Sequence, residues 1–344
     1  MKKISFTNQV GKELARFLKQ SSYSQLAVLV DEHTFKNCYP LIKKKLPVHH
    51  VIKIKSGEKN KNLSTCTQVW KKLTELEFDR HALLINLGGG VIGDLGGFCA
   101  ATFKRGISFI HIPTTLLAQV DASVGGKLGI DFLDYKNHIG LFREPINTIV
   151  DPVFLNTLSV RELKSGFAEV VKHCLIADKN RWKKLSHLSF TQINWEEWIK
   201  HSIRIKKHIV MLDPHEKNKR KLLNFGHTVG HALEGFFLRK GKKIRHGEAI
   251  AAGMIIESYL SFKYNGLSQY EYDQITLYIR SIWKLITYDD RDINSLINWM
   301  SQDKKNKNGV LQLTLLNGIG KAVTNVEITE EQMKAALRYY QQIY

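Results

Sequence analysis

The sequence predicts an α/β protein with a largely parallel sheet in its first half and mostly α-helices in its second half. Short apolar runs alternate with helix-spaced stretches up to residue 151, and beyond it the strand pattern fades while helical spacing continues. The length of 344 residues favours two domains. We therefore expect one domain at residues 1–151 and a second at residues 152–344.

Five runs rich in Val, Ile and Leu in the first half have the composition of buried strands. They span residues 25–31, 49–55, 81–87, 107–113 and 146–151. Residues 63–78 and 91–103 lie between successive runs and carry helical spacing. Strands joined through helices run parallel, so this half should form βαβ units.

Four long segments of the second half are predicted to be helices. They span residues 159–178, 195–212, 223–237 and 247–262. Residues 310–316, VLQLTLL, are the one strand predicted in this half. The second half should therefore be mostly α-helical.

The net charge of +19 is the unusual feature of the composition. By itself it is compatible with nucleic acid, an anionic membrane surface or an acidic substrate. Much of the excess lies in short lysine-rich runs that are typical of solvated loops, and arginines are not interleaved with aromatic residues as in proteins that stack on bases. We expect neither a nucleic-acid partner nor a membrane partner.

The apolar content and the cysteines indicate a cytoplasmic protein. No segment approaches the ~20 apolar residues of a membrane span, and the first ten residues lack the apolar core of a signal peptide. The four cysteines are widely spaced and form no C-x-x-C pair. This spacing makes a disulfide framework or a sulfur-ligated zinc site unexpected.

Residues 88–97, GGGVIGDLGG, follow a predicted strand and open a predicted helix. Gly88, Gly90 and Gly93 match the G-x-G-x-x-G pattern, in which glycines let the backbone approach a pyrophosphate at a helix N-terminus. A tight turn in a packed α/β domain would use the same glycines. No acidic residue follows about 20 positions later to bind a ribose, but Asp31 and Glu58 end the first two predicted strands and could do so.

Several basic and amide side chains lie beside glycine-rich connections after this loop. They are Lys104, Arg105, Lys127, Lys136 and Asn137. Cationic groups on flexible backbone suit phosphate or carboxylate ligands, although each one alone is compatible with a surface loop. Asp121 has small and apolar neighbours, which favours a specific partner for its carboxylate.

Histidines and carboxylates recur at helical spacing in the second half. Glu169, Lys172 and His173 share one predicted helix face. Arg220, Asn224, His227 and His231 recur every three or four residues along one predicted helical stripe, and His246 begins another helix. Two histidines and one carboxylate form a catalytic zinc set. Spacing alone favours His227 with His231, while hydrogen-bonded core or surface histidines remain an alternative.

These motifs, in this order, closely resemble those of the 3-dehydroquinate synthase family of sugar phosphate cyclases. The resemblance runs from about residue 25 to about residue 320 and is most specific at GGGVIGD, KRG, IPTTLLAQVDASVGGK, KNHIG, GFAEVVKH, LNFGHTVGHALE and HGEAIAAGM. It implies a Rossmann-like N-terminal domain, a mostly α-helical C-terminal domain, tightly bound NAD and one divalent metal, zinc or cobalt.

The resemblance also implies site residues. The metal ligands would be Glu169, His227 and His246, with His231 turned toward the substrate. The NAD-contacting positions would be Ser56, Gly57, Glu58, Lys59, Asn60, Lys61, Gly90, Val91, Ile92, Gly93, Asp94, Thr114, Thr115, Lys127, Lys136, Phe154, Leu155, Asn156 and Thr157. The substrate-contacting positions would be Asp121, Lys127, Asn137, Lys172, Lys206, Arg220, Asn224 and His231, with one further lysine, Lys304 or Lys305. Arg105 matches an arginine donated across a dimer interface, so a homodimer is expected.

The activity implied is conversion of 3-deoxy-D-arabino-heptulosonate 7-phosphate to 3-dehydroquinate and phosphate in the shikimate pathway. One alternative is a sibling cyclase acting on sedoheptulose 7-phosphate or glucose 6-phosphate, which lack the carboxylate. Lys206, Arg220 and Asn224 argue against it. A metal-dependent polyol dehydrogenase and a basic nucleic-acid-binding protein are the other two alternatives. The second of these would leave the histidine and glutamate motifs unexplained.

Overall fold

The structure is a computed structural model that describes residues 3–133, 135–301 and 310–343. The chain divides into two compact units, Met1–Ser159 and Val160–Tyr344. Within the described residues, none of the helices is both long enough and apolar enough to span a membrane.

Eight strands and five α-helices lie in the described residues of the first unit. Its strands are β1 (Lys3–Phe6), β2 (Leu26–Asp31), β3 (His50–Ile54), β4 (Leu83–Gly88), β5 (Ser108–Pro113), β6 (Lys127–Phe132), β7 (Tyr135–Phe142) and β8 (Asn147–Val150). Its helices are α1 (Val10–Lys19), α2 (Glu32–Asn37), α3 (Tyr39–Lys43), α4 (Leu63–Glu75) and α5 (Gly90–Thr102).

Six of these strands form one parallel sheet in the order β1-β8-β5-β4-β2-β3. The prediction of a parallel sheet is confirmed. Helices cover both faces: α1 and α3 pack with Val28 and Ile110 on one side, and α4 and α5 pack with Leu29 and Leu84 on the other. Strands buried on both faces need continuous apolar runs, which explains why these strands were visible in the sequence.

The sequence analysis missed three strands of this unit. The four-residue strand β1 joins the sheet beside β8 and is too short to carry a pattern. The antiparallel hairpin of β6 and β7 lies outside the main sheet, and β7 is mostly exposed. Its sequence, YKNHIGLF, therefore lacks the apolar run of a buried strand.

The second unit is mostly helical. Its helices are α6 (Val160–Ala177), α7 (Lys179–Leu185), α8 (Trp195–Leu212), α9 (His227–Arg239), α10 (His246–Tyr264), α11 (Gln269–Ile282), α12 (Ile293–Ser301) and α13 (Glu330–Gln342), and its strands are β9 (Val310–Leu316) and β10 (Ala322–Thr329). Helix α10 lies at the centre and contacts α6, α9, α11 and α13. It is buried almost all round, as its alanine-rich and glycine-rich sequence allows.

Two predictions for this unit are wrong. Residues 310–316 are not its one strand, because β10 pairs with them as an antiparallel hairpin. Alternating half-exposed side chains hide β10 from a search for apolar runs. The predicted helix over residues 223–237 is interrupted: a 3₁₀ helix spans Lys219–Asn224, and α9 begins only at His227. Gly226, with φ of +78°, turns the chain between them.

Candidate active site

The glycine loop lies where strand β4 turns into helix α5, as the dinucleotide pattern requires. Gly89 is the N-cap of α5, and its carbonyl accepts a hydrogen bond from the Gly93 amide at 3.0 Å. The Thr114 amide, just after the neighbouring strand β5, donates to the Gly88 carbonyl at 3.0 Å. The carboxyl ends of β4 and β5 therefore bring the glycine loop beside Thr114 and Thr115, the edge at which parallel sheets bind nucleotides.

Lys61 links a predicted NAD position to a predicted substrate position. Its ammonium group lies 2.8 Å from the Asp94 carboxylate, 2.5 Å from the Asn137 side-chain oxygen and 3.7 Å from Glu58. Burial alone would lower the pKa of Lys61, but the charges of Asp94 and Glu58 outweigh it and raise that pKa. The lysine is therefore charged, and it fixes helix α5 to the β6–β7 hairpin.

Two predicted NAD residues already bind other groups of the fold. The Asp31 carboxylate caps helix α2 by accepting from the Thr34 amide at 2.7 Å. Ser56 donates from its amide and its hydroxyl to Glu32, at 2.8 and 2.7 Å. Glu32 was not predicted, and its position one residue after strand β2 is the signal that could have found it.

The remaining predicted residues of the first unit differ in exposure. Phe154 and Leu155 are buried, and Phe154 belongs to the core beside α1. Lys127 and Lys136 are exposed on the hairpin, and Arg105 is exposed with φ of +65°. The three cations therefore lie at the surface, whereas Phe154 has no exposed surface.

Three ligand groups converge in the second unit. Oxygen and nitrogen atoms of Glu169 on α6, His227 at the start of α9 and His246 at the start of α10 all lie within 4.8 Å of one another. The Glu169 Oε1 atom is 3.4 Å from His227 Nε2 and 3.8 Å from His246 Nε2. One carboxylate and two imidazoles are a donor set that zinc and cobalt accept, so the residues fit a divalent metal.

Further contacts hold these ligands in orientations that suit a metal. The His227 Nδ1 atom is 3.1 Å from the Phe225 carbonyl, which can only accept, so Nδ1 carries the proton and Nε2 is free to coordinate. The His246 Nδ1 atom is 3.4 Å from Glu234. Carboxylates and carbonyls behind metal-binding histidines fix their tautomer and ring orientation.

The charges in this cluster favour an ionised carboxylate. Burial would raise the pKa of Glu169, but the ammonium of Lys172 and then His227 outweigh it and hold that pKa well below its usual range. Burial and the charge of Lys172 lower the pKa of His227. Burial acts in the same direction on His246, yet Glu169 and Glu234 raise its pKa to about 9.

His231 lies beside the converging ligands. Its ring centroid is 5.2 Å from that of His227 and 5.8 Å from that of His246. Its side chain is exposed, unlike that of Glu169. An exposed imidazole next to a metal site is well placed to contact a ligand rather than the metal.

The predicted anion-binding residues Lys206 and Arg220 are buried. The Arg220 side chain donates to the Pro214 carbonyl at 2.7 Å, and its amide donates to Asp213 at 3.1 Å. Asn224 donates to Glu216 at 3.2 Å.

Arg220 and Asn224 do not share a helix with His227, because α9 begins after Gly226. Lys304 and Lys305 lie outside the described residues.

The sequence analysis missed two glutamates of this unit, Glu216 and Glu234. Glu234 follows His227 by seven residues, two helical turns, and so lies on the same face of α9. That spacing is a signal that could have found it. Glu216 is held with φ of +57° in a loop, where no periodicity points to it.

We expect Gly247→Ala to lower stability by ~1–3 kcal/mol, the usual range for overpacking. A Cβ on Gly247 would lie 2.0 Å from the Ser165 carbonyl oxygen of α6, which is backbone and cannot give way. Thermal unfolding measures the effect. The matched control is Gly93→Ala, whose Cβ would meet only His111 at 3.9 Å and should leave stability unchanged or higher. Equal Tm values for Gly247→Ala and wild type would contradict the close contact of α10 with α6.

Comparisons with known proteins identify relatives of both units. A family model described as 3-dehydroquinate synthase N-terminal matches residues 51–165. A second, described as 3-dehydroquinate synthase C-terminal, matches residues 166–306. Together they span most of the chain, including the glycine loop and the three converging ligands.

A curated 3-dehydroquinate synthase of Parabacteroides distasonis is 37% identical over 350 residues, which cover 99% of this chain and 98% of that protein. Among solved structures, a 2-deoxy-scyllo-inosose synthase complexed with carbaglucose-6-phosphate, NAD⁺ and Co²⁺ is 25% identical, with a TM-score of 0.85 over 98% of this chain and 96% of that one. A 2-epi-5-epi-valiolone synthase from Streptomyces hygroscopicus with NAD⁺ and Zn²⁺ bound is 24% identical, with a TM-score of 0.89 over 99% and 97% of the two chains. The fold is therefore that of the sugar phosphate cyclases.

Proposed function

This chain belongs to the 3-dehydroquinate synthase family, and from that premise we propose that it converts 3-deoxy-D-arabino-heptulosonate 7-phosphate to 3-dehydroquinate and phosphate. It is an enzyme of the carbon–oxygen lyase class that eliminates phosphate, and it serves the shikimate pathway. The convergence of Glu169, His227 and His246 is the structural observation that carries the proposal.

The cofactors are NAD and one divalent metal, zinc or cobalt. Bound NAD would supply reversible hydride transfer at C5 of the substrate, with no net oxidation. A divalent metal held by Glu169, His227 and His246 would supply a Lewis acid. The glycine loop at Gly90–Asp94 and the adjacent Thr114 and Thr115 offer the backbone amides and hydroxyls that a dinucleotide requires.

Glu169 would hold the metal through one oxygen. Its Oε1 atom faces His227 and His246, whereas its Oε2 atom forms an ion pair with Lys172. Lys172 is buried with its partner, so it balances the carboxylate charge and leaves Oε1 to the metal. Because Lys172 lies one helical turn from Glu169, it would also offer a proton-bearing group to a substrate bound at the metal.

The anionic substrate would be bound by cations and polar groups of this chain. We assign this role to Asp121, Lys127, Asn137, Lys172, Lys206, Arg220, Asn224 and His231. The guanidinium group of Arg220 is buried and held by the Pro214 carbonyl, which suits bidentate binding of the substrate carboxylate. Several fixed donors orient a substrate that carries both a carboxylate and a phosphate.

The later steps need little from the protein beyond this orientation. Oxidation at C5 makes the C6 proton acidic, and the substrate's own phosphate can accept that proton as it leaves. Ring opening and an intramolecular aldol reaction then close the carbocycle. The bound conformer decides which face reacts, which assigns the donors a positioning role.

The quaternary structure and the location of the protein are part of the proposal. Exposed Arg105 at the turn before β5 would act across a homodimer interface. The four cysteines are free and buried, which fits a reducing cytoplasm.

The test is to incubate the metal-loaded protein and NAD with the heptulosonate phosphate and to measure phosphate and 3-dehydroquinate together. The proposal predicts equal amounts of the two products. Sedoheptulose 7-phosphate is the comparison substrate, because two sibling cyclases share the fold. Faster phosphate release from sedoheptulose 7-phosphate would show a sibling cyclase instead.

A further inference from the structure

A buried glutamate on α10 caps the helix that begins at the metal ligand His227. Glu257 has no exposed surface. Its Oε2 atom accepts from the Gly226 amide at 2.6 Å, and its Oε1 atom accepts from the Val229 amide at 3.2 Å. These amides belong to the N-cap and third residues of α9, so Glu257 occupies the place of an N-cap side chain.

The helix cannot supply such a cap from its own N-cap residue. Position 226 is glycine, with φ of +78°, and a Cβ there would lie 2.6 Å from Met254 and 3.1 Å from the Ile250 carbonyl oxygen. A Ser, Thr, Asp or Asn at this position would be both strained and obstructed. The cap has to come from another segment, and α10 provides it.

Burying the ionised carboxylate of Glu257 would carry a free-energy penalty. Burial raises the pKa of Glu257 to about 8, although its hydrogen bonds from the Gly226, Val229 and Thr228 amides act in the opposite direction. An uncharged cap would avoid this penalty. The hydrogen bonds from backbone amides offset this penalty only in part, since the pKa stays raised.

The proposed metal ligands lie at the starts of the two helices that Glu257 joins. His227 is the first residue of α9 and His246 is the first residue of α10. Glu257 binds the first amides of α9 and so fixes the turn that carries His227 and the Phe225 carbonyl, which lies 3.1 Å from His227 Nδ1.

We propose that Glu257 is a positioning residue for the metal centre: it anchors the first turn of α9 to α10 and so sets the orientation of His227. This inference rests on the metal centre proposed above. Glu257 does not touch the metal, because its hydrogen bonds go to backbone amides.

The test is a cobalt titration of the metal-free full-length protein, carried out at the same pH for every variant. Wild type is compared with Glu257→Gln, Glu257→Ala and Glu271→Gln, and the visible cobalt absorption and the near-ultraviolet circular dichroism are recorded. The matched control, Glu271, lies in the same unit and also accepts two backbone amides, from Ser268 and Ile319, at 3.3 Å each.

Loss of a group that orients a metal ligand typically weakens metal binding by about 10- to 100-fold. We expect Glu257→Gln to raise the cobalt Kd within this range and to shift the absorption bands, with a larger effect for Glu257→Ala. Glu271→Gln should lower Tm while leaving the Kd and the spectrum as in wild type. If Glu257→Ala does not fold, the isosteric glutamine variant decides.

A folded Glu257→Gln protein with the Kd and spectrum of wild type would overturn the inference, even if its Tm were lower. The metal centre itself is checked with His246→Ala in the same titration. If His246→Ala bound cobalt as tightly as wild type, the proposed ligand set would be wrong, which is a different result from an unaffected Glu257 variant.

Discussion

Glu169→Ala should lower kcat by about a thousandfold or more, since a Lewis acid contributes several kcal/mol of transition-state stabilisation and each 1.36 kcal/mol is a factor of ten. The change removes the buried carboxylate that faces His227 and His246. It also leaves Lys172 buried without its ion-pair partner, which weakens the site further. Steady-state rates measure the loss of turnover, and elemental analysis measures the loss of bound metal. A chelator should abolish turnover of wild type, and zinc or cobalt should restore it.

The controls for this prediction are His246, the second imidazole of the proposed ligand set, and His231, which helical spacing alone favours in its place. His246→Ala should lose metal as Glu169→Ala does, whereas His231→Ala should keep metal while its substrate turnover falls. Metal retained by His246→Ala and lost by His231→Ala would show that His227 pairs with His231 instead.

The second large effect is expected for Arg220→Lys, which should reduce kcat/KM for the heptulosonate phosphate by roughly 10- to 100-fold. A hydrogen bond to a charged group contributes about 1.5–3 kcal/mol, and lysine cannot reproduce the bidentate geometry of a guanidinium. The buried setting of Arg220 prevents water from replacing the lost contact. Initial rates over a range of substrate concentrations give the value.

Sedoheptulose 7-phosphate is the control substrate for this variant, because it has no carboxylate for Arg220 to bind. The loss caused by Arg220→Lys should therefore be small with this substrate. Equal losses with both substrates would place Arg220 in a structural role or on the phosphate, and the carboxylate assignment would have to be abandoned.

The sequence predicted those strands whose burial shows as an uninterrupted run of apolar residues. The strands of the parallel sheet are covered on both faces, so strand β2, LAVLVD, is apolar up to its last residue, Asp31, and is easily found. Strand β7 is mostly exposed and β10 is exposed on alternate residues, so composition gave no signal for them. The break before α9 was missed because helical spacing continues from Arg220 to His231, and the positive φ of Gly226 leaves no trace in that spacing.

The candidate site shows the same limit. Spacing along one helix favoured His227 with His231, because i and i+4 side chains share a face. The carboxylate near His227 comes from α6 and the other imidazole from the start of α10, and only tertiary structure brings the three together. The resemblance to known synthases is what identified Glu169, His227 and His246 as the expected metal ligands. Glu257 could be found only from the tertiary structure, since hydrogen bonds to backbone amides leave no motif in the sequence, whereas the spacing of Glu234 from His227 could have pointed to Glu234.

The most direct test of the proposed activity is the fate of the hydride when NAD is present in much smaller amounts than substrate. Heptulosonate phosphate labelled with deuterium at C5 is converted to completion while absorbance at the NADH wavelength is followed. We expect many turnovers per NAD, no accumulation of NADH and full retention of deuterium in 3-dehydroquinate. NADH that grows in proportion to product would contradict the account and identify the protein as a polyol dehydrogenase that shares this fold.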